Sequence, residues 1–251
     1  MQILSYHFSI FNCFVLIVCS FIIGLSKAGI SSISILTVSG LAYVFGGKSS
    51  TGILLPMLLF ADIFAVKYYN RHTDWVILRR ILPWMIVGIL IGVWFGKDIS
   101  EIVFKKSMAV LIVMTVISMI WWERNPKKNV PNHWSFAGII GLMAGFTTMV
   151  GNLAGAFSNI YFLSIRVSKD IFIGTTAWLF LLINAFKIPF HVFVWQTITW
   201  ESLIINLALL PFLLTGFFVG IRVVKRINEQ QYRKLILYLT GFASIFILIS
   251  L

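Results

Sequence analysis

Four ionisable side chains interrupt long apolar runs of this sequence: Lys27, Asp62, Lys67 and Lys187. A charged group in the middle of a membrane costs at least about 2.5–3.5 kcal/mol, so such residues usually serve a function or pair with one another. Asp62 lies nine residues before Arg71, or about 13 Å along a helix, deep inside its run. It is a candidate proton-coupling site or ion-pair partner.

Each of the three lysines allows two interpretations. Lys67 and Lys187 lie near the ends of their runs, so both can extend their ammonium groups to the membrane surface. Alternatively, Lys67 belongs with Asp62 to the proton-coupling or ion-paired group, and Lys187 binds a substrate. Lys27 lies in a glycine-rich break, where packing alone hardly explains a positive charge and attraction of an anion would explain it.

Small polar residues concentrate in two glycine-rich stretches, 22–36 and 142–159. Irregular backbone at membrane depth survives only when it is buried in protein or lines a cavity, and paired interruptions in two halves of a transporter indicate its binding site. Close helix packing through small residues is the alternative, and hydroxyl groups often bond only their own backbone. The candidate substrate-binding residues are Lys27, Ser31, Ser32, Ser49, Ser50, Thr147, Thr148, Asn152, Thr175, Asn184 and Lys187.

No pattern typical of catalysis or metal binding is recognisable. The 4 histidines stand apart from one another, with no HExxH or CxxC spacing. Cys13 and Cys19 lie about 9 Å apart along a helix, which is too far for a disulfide. We therefore expect no catalytic residue, no metal and no cofactor.

The composition bounds the class of protein. Of 251 residues, 59% are hydrophobic and 11% charged, with a mean hydropathy of +0.96, which is too apolar for a soluble domain. The net charge of +12 comes from lysines and arginines that lie between apolar runs, as membrane topology requires. The expected partners are the lipid bilayer and a small anion, not nucleic acid; a homodimer is left open.

Apolar runs between polar residues predict an all-α integral membrane protein. It should contain two inverted-topology repeats of about five membrane segments each, with glycine-rich breaks or short helices in segments 1–2 and 6–7. The ten predicted segments are 8–26, 30–45, 50–69, 75–96, 102–122, 135–150, 153–165, 170–190, 199–221 and 231–250.

Corresponding residues support a duplication of the chain. Asp62 corresponds to Asn184, Lys67 to Lys187, and the GxxxG pattern at Gly92 recurs later in the chain. Because five segments per half is an odd number, the halves should have opposite orientations. The predicted units are a first repeat at 1–123, a cytoplasmic linker at 124–133 and a second repeat at 134–251.

Basic residues are distributed unequally between the two sides of this topology. With ten segments, one side carries 15 and the other 4, with Lys187 inside the membrane to complete the 20. Counting each pair of segments in a glycine-rich stretch as one crossing gives eight segments, with 11 basic residues on one side and 7 on the other. The positive-inside rule therefore favours a cytoplasmic linker and both termini on the non-cytoplasmic side. It does not distinguish ten crossings from six crossings plus two re-entrant hairpins.

Four blocks of the sequence carry a resemblance to a known family: GLSKAGISSISI, KSSTGILLPMLLFADIFAVKYYNRH, GFTTMVGNLAGAF and SKDIFIGTTAWLFLLINAFKIPFH. They resemble the TauE/SafE sulfite-exporter family of membrane permeases, particularly its bacterial branch, over nearly the whole chain. The resemblance implies transport of sulfite, sulfonates such as sulfoacetate, or related organosulfur anions across the bacterial cytoplasmic membrane. Ser31 and Ser32 stand where that family often has glycine, which leaves the exact substrate open.

These observations together predict a secondary transporter that works by alternating access. The second and seventh segments should begin near Gly29 and Gly151, so that their helix N-termini point partial positive charge and N–H groups at an anion. A membrane-embedded enzyme and a structural membrane protein without transport activity are the alternative classes.

Overall fold

The computed structural model describes residues 2–3, 6–7, 9–124, 134–232, 234–236 and 238–239. A two-residue ladder pairs β1 (Gln2–Ile3) with β2 (Tyr6–His7). Further helical residues are 229–232, 234–236 and 238–239. In the described part of the chain the named helices are α1 (Ile10–Lys27), α2 (Ile35–Phe45), α3 (Gly47–Tyr69), α4 (Trp75–Lys97), α5 (Glu101–Arg124), α6 (Trp134–Gly151), α7 (Ala154–Ser164), α8 (Lys169–Pro189) and α9 (Trp200–Arg226).

The predicted all-α membrane fold is confirmed. Of the helices in the described residues, 6 are long and apolar enough to cross a membrane. These six are α1, α3, α4, α6, α8 and α9. Helices α1 to α9 match the first nine predicted segments closely. Positions 125–133 of the predicted linker and most of the predicted tenth segment lie outside the described residues.

The two short helices are too short to cross the hydrocarbon core, and each packs against the helix before it. Helices α2 and α7 have 11 residues each, about 16 Å, against the roughly 30 Å of a hydrocarbon core. A methyl group added at Gly40 in α2 would lie 2.6 Å from the Cys19 sulfur in α1, so α2 folds back tightly on α1. Each glycine-rich stretch thus forms a hairpin of one long and one short helix.

Backbone conformations that favour glycine or asparagine produce the two breaks. Gly29 has φ 118° and Asn152 has φ 54°, which glycine and asparagine tolerate best. Carbonyl groups released after α1 find partners, because the Tyr69 hydroxyl donates to Ala28 O at 2.8 Å and the Tyr232 hydroxyl to Gly29 O at 2.7 Å. The chain therefore leaves the helix without unpaired groups at these positions, as hydrocarbon demands.

Glycines bring two pairs of helices into close contact, α1 with α9 and α4 with α6. A methyl group added at Gly24 would overlap the carbonyl oxygen of Leu213, and one at Gly145 would overlap that of Met85. The reciprocal positions Gly216 and Gly88 meet the backbones of α1 and α6 in the same way. Small residues of this kind let membrane helices approach closely, and both halves of the chain use the same device.

The contacts also give the directions of the helices. Ala28, after the end of α1, meets Tyr69 at the end of α3, so α1 and α3 run the same way. Asn152, after the end of α6, meets Thr51 near the start of α3, so α6 runs the opposite way. Helices α1 and α6 begin the two halves of the chain, and their opposite directions are those that an inverted repeat requires.

Candidate functional site

The central pair of helices, α3 and α8, carries a buried carboxylate network. Asp62 of α3 is fully buried. One carboxylate oxygen lies 2.7 Å from Lys27 Nζ, and the other accepts a 2.7 Å hydrogen bond from the Asn184 side chain of α8. Lys27 also lies 4.4 Å above the centre of the Phe180 ring. Three distant parts of the sequence thus meet at Asp62.

The partner of Asp62 is Lys27 and not Lys67. Lys67 lies five residues after Asp62 in the same helix, about 140° around its axis. Its side chain is exposed, so it does not join the buried network. Helical periodicity alone indicates this separation.

Lys187 is the second buried cation, and it is 0% exposed. Its ammonium group donates to Thr148 O at 3.0 Å, to Thr148 Oγ1 at 3.2 Å and to Asn152 Oδ1 at 2.6 Å. These three acceptors match the three donors of an ammonium group. Lys187 therefore does not extend to the membrane surface, because the second break offers it a polar site inside the protein.

The two buried ammonium groups differ in what lies opposite their charge. Lys27 is paired with the Asp62 carboxylate, whereas Lys187 donates hydrogen bonds to neutral oxygens of Thr148 and Asn152. With these groups ionised, two ammonium groups and one carboxylate leave an excess charge of one. A buried charge without a counter-ion is costly, so an anion beside Lys187 would be strongly favoured.

A small cavity lies between the breaks. It has a volume of about 20 Å³ and is lined by residues that include Lys27, Asn152, Asn184, Gly155 and Phe180. A neighbouring cavity of about 10 Å³ borders Asp62. The first has room for roughly one water molecule, so the helices around it must move apart to admit an oxyanion.

The starts of the two short helices face each other beside this cavity. After the first break the chain forms a 3-10 turn at Ser31–Ser34 before α2, and α7 begins at Ala154; both starts lie three to six residues beyond the predicted positions. The Ser31 hydroxyl donates to Asn159 Oδ1 of α7 at 2.7 Å. Ser31 therefore joins the two halves through this bond.

The remaining predicted residues lie outside this arrangement or bond elsewhere. Ser50 and Thr147 are buried but donate to carbonyl groups of their own helices, and Ser49 is exposed. Thr175 accepts from a backbone N–H just before α4, at 2.9 Å. The side chain of Ser32 lies outside the described part of the chain.

Two polar residues near the site were not predicted. Asn159 is buried and accepts the bond from Ser31; it follows Asn152 by seven residues in the same glycine-rich stretch. His191 is buried, with Nδ1 2.8 Å from the Thr197 hydroxyl, and it follows Lys187 by four residues. Residues three or four apart share a helix face, so Asn184, Lys187 and His191 form a polar stripe that the sequence already contained.

The described residues hold no group of three or more His, Cys, Asp or Glu side chains that could bind a metal ion. The site is instead built from ammonium, carboxylate, amide and hydroxyl groups around a small cavity. Such groups can bind a small anion and hold a proton.

Comparison with known proteins agrees with this chemistry. A family model described as "Sulfite exporter TauE/SafE" matches residues 16–247. The chain belongs to the sulfite exporter TauE/SafE family. A search of curated proteins and a search of solved structures each found no match. Membership confirms the resemblance seen in the sequence and identifies a multi-pass membrane transporter of the sulfite-exporter type.

Proposed function

We propose that this protein is a secondary transporter that moves sulfite or small sulfonates, such as sulfoacetate, across the bacterial cytoplasmic membrane by alternating access. The observation that carries the proposal is the Lys187 ammonium group, which is fully buried near the cavity and bonded to neutral acceptors. A compact anion would supply the counter-charge. Family membership adds the sulfur chemistry of the substrate.

The anion would bind in the cavity beside the Lys187 ammonium group, which Asn152 would continue to hold. The first turn of α7, which lines the same cavity, would add a partial positive charge of roughly one half. Amide groups of Asn152 and Asn184 lie in the cavity wall and can donate to sulfonate oxygens. This set of donors favours an anionic head group over a neutral or cationic solute.

Alternating access would use two inverted repeats, 1–123 and 134–251, joined by a cytoplasmic linker at 124–133. Equivalent glycine contacts in α1–α9 and α4–α6 support two similar units, and the opposite directions of α1 and α6 support their inversion. Enlarging the cavity toward one side and then the other would release the anion. Both termini would lie outside the cytoplasm.

Flux into proteoliposomes tests the transport proposal. Saturable uptake of unmodified substrate is expected for at least one of sulfite, thiosulfate, sulfoacetate, sulfolactate and taurine. Lys187→Gln should weaken binding by about 2–5 kcal/mol, the usual effect of removing one buried charged partner, which corresponds to roughly 30-fold or more. The exposed Lys67→Gln variant is the matched control and should transport normally. Absence of flux for every anion, or equal flux in both variants, would refute the proposal.

Reporter fusions test the orientation independently. A fusion within 124–129 should report the cytoplasm, and a fusion after Leu251 should report the opposite side. Finding both reporters on one side would exclude the inverted arrangement while leaving the anion site intact.

A further inference from the structure

The charges around the cavity limit the charge of the anion that it can hold. With all three groups ionised, Lys27 and Lys187 each contribute one positive charge, and Asp62 contributes one negative charge. A bound monoanion makes this buried cluster neutral. A bound dianion leaves it with one excess negative charge, which is costly away from water.

Asp62 is placed to remove that excess by taking up a proton. It is fully buried in the second half of α3, and its two oxygens are held by Lys27 and Asn184. When Asp62 is protonated, the Asn184 side chain can still donate to it, whereas the Lys27 ammonium group loses its counter-ion. Lys27 lines both cavities, so it can then turn toward the anion.

The surroundings of Asp62 offer few competing charges. The described charged groups that act on it are Lys27 from α1 and Lys187 from α8. Helix α9 presents an aromatic contact to α3, with Phe217 against Phe64. Glu101 of α5 bonds the start of α3 at Gly47, about 22 Å along the helix from Asp62.

We propose that the site takes a dianionic oxyanion together with one proton carried on Asp62, and a monoanion with little or no proton uptake. The proposal rests on the proposed function, because it concerns the same anion site. The step is a simple protonation, in which the Asp62 carboxylate and one proton from water give the carboxylic acid. The proton is thus a second ligand of the site, and its binding depends on the charge of the first.

Sulfate and methanesulfonate are suitable probes, because their charges of two and one do not change near neutral pH. The purified full-length protein in weakly buffered detergent solution, with a pH indicator, should take up about one proton per bound sulfate. Sulfate affinity should then rise up to tenfold for each unit by which the pH falls. Methanesulfonate should take up less than half a proton and show a correspondingly smaller pH dependence.

Variants of two aspartates identify the group that takes up the proton. Asp62→Asn mimics the protonated acid, so it should bind sulfate without proton uptake and with an affinity independent of pH. The exposed Asp170→Asn variant makes the same chemical change at the start of α8 and should behave like the unaltered protein.

Three results would overturn the inference: sulfate binding without proton uptake, equal uptake with both anions, or uptake that persists in Asp62→Asn. If Asp62→Asn does not fold, proton uptake with sulfate and with methanesulfonate can still be compared in the unaltered protein. That comparison alone tests whether proton uptake depends on the charge of the anion. Failure of every anion to bind would instead refute the proposed function. The two failures are therefore distinguishable.

Discussion

The two breaks both end a long helix and lead into a short one, but they do so with different residues. The first, between α1 and α2, uses Gly29 at φ 118° and a 3-10 turn, and it directly follows the charged Lys27 at the end of α1. The second, between α6 and α7, is shorter, uses Asn152 at φ 54°, and presents only neutral groups. The first break therefore brings a cation to α3, and the second receives a cation from α8.

This difference indicates different roles for the two buried cations. The cation of the first break is neutralised inside the protein by Asp62, whereas the cation at the second break has neutral acceptors. We infer that the first break mainly holds a proton-sensitive ion pair and the second holds the anion. Four predictions test this division, and they follow in order of decreasing effect.

The largest effect is expected for Lys27→Met at the first break. It leaves the Asp62 carboxylate buried without its partner, which should lower the free energy of unfolding by about 3–5 kcal/mol. Lys187→Met leaves only neutral acceptors unpaired and should cost about 1–3 kcal/mol. Unfolding of the detergent-solubilised variants measures both values.

A double variant provides the control for this comparison. Lys27→Met combined with Asp62→Asn removes both charges and should recover most of the lost stability. Equal losses for the two single lysine variants would show that the breaks do not differ in this way.

Gly24→Ala and Gly145→Ala should destabilise the α1–α9 and α4–α6 contacts by similar amounts. In each case the new methyl group meets a backbone carbonyl of the neighbouring helix, so the cost should reach the upper part of about 1–3 kcal/mol. Thermal unfolding of both variants measures it. Gly155→Ala, whose methyl would lie 3.4 Å from Ser31 O, is the control and should be close to neutral. A large loss of stability in only one of the two variants would argue against equivalent packing of the two helix pairs.

Gly29→Ala should be destabilising through its backbone. An alanine at φ 118° is strained, and left-handed conformations cost residues other than glycine about 1–2 kcal/mol. Asn152→Gly should leave the second break without such strain, so any change should appear in anion affinity more than in unfolding. Wild-type stability of Gly29→Ala would mean that the first break can adopt another conformation.

The smallest effect is expected for Asn152→Ala. The amide oxygen of Asn152 holds the Lys187 ammonium group at 2.6 Å, so its loss should weaken anion binding by the value of one hydrogen bond, about 0.5–1.5 kcal/mol. Ligand-induced thermal shifts with sulfite or sulfoacetate can measure this. Asn70→Ala, at an exposed position, should leave the affinity unchanged. Tighter binding by Asn152→Ala would show that the amide competes with the anion.

Most of the fold was predictable because its signals are local. Apolar runs give the helices by length and hydropathy, and clustered glycines with small polar residues mark both breaks. Charges inside those runs identified Lys27, Asp62 and Lys187 as unusual, since the cost of a charge in hydrocarbon does not depend on which residue faces it.

Only the tertiary structure decided which groups meet. Asp62 pairs with Lys27, 35 positions away in the chain, and bonds Asn184, 122 positions away, although Lys67 is much closer in sequence. The Lys187 side chain remains buried because Thr148 and Asn152, at the break after α6, supply hydrogen-bond acceptors at the same depth in the membrane. Hydropathy reports how deeply a residue lies in the membrane, but the partner of a buried charge depends on helix rotation and on neighbours that are remote in the chain.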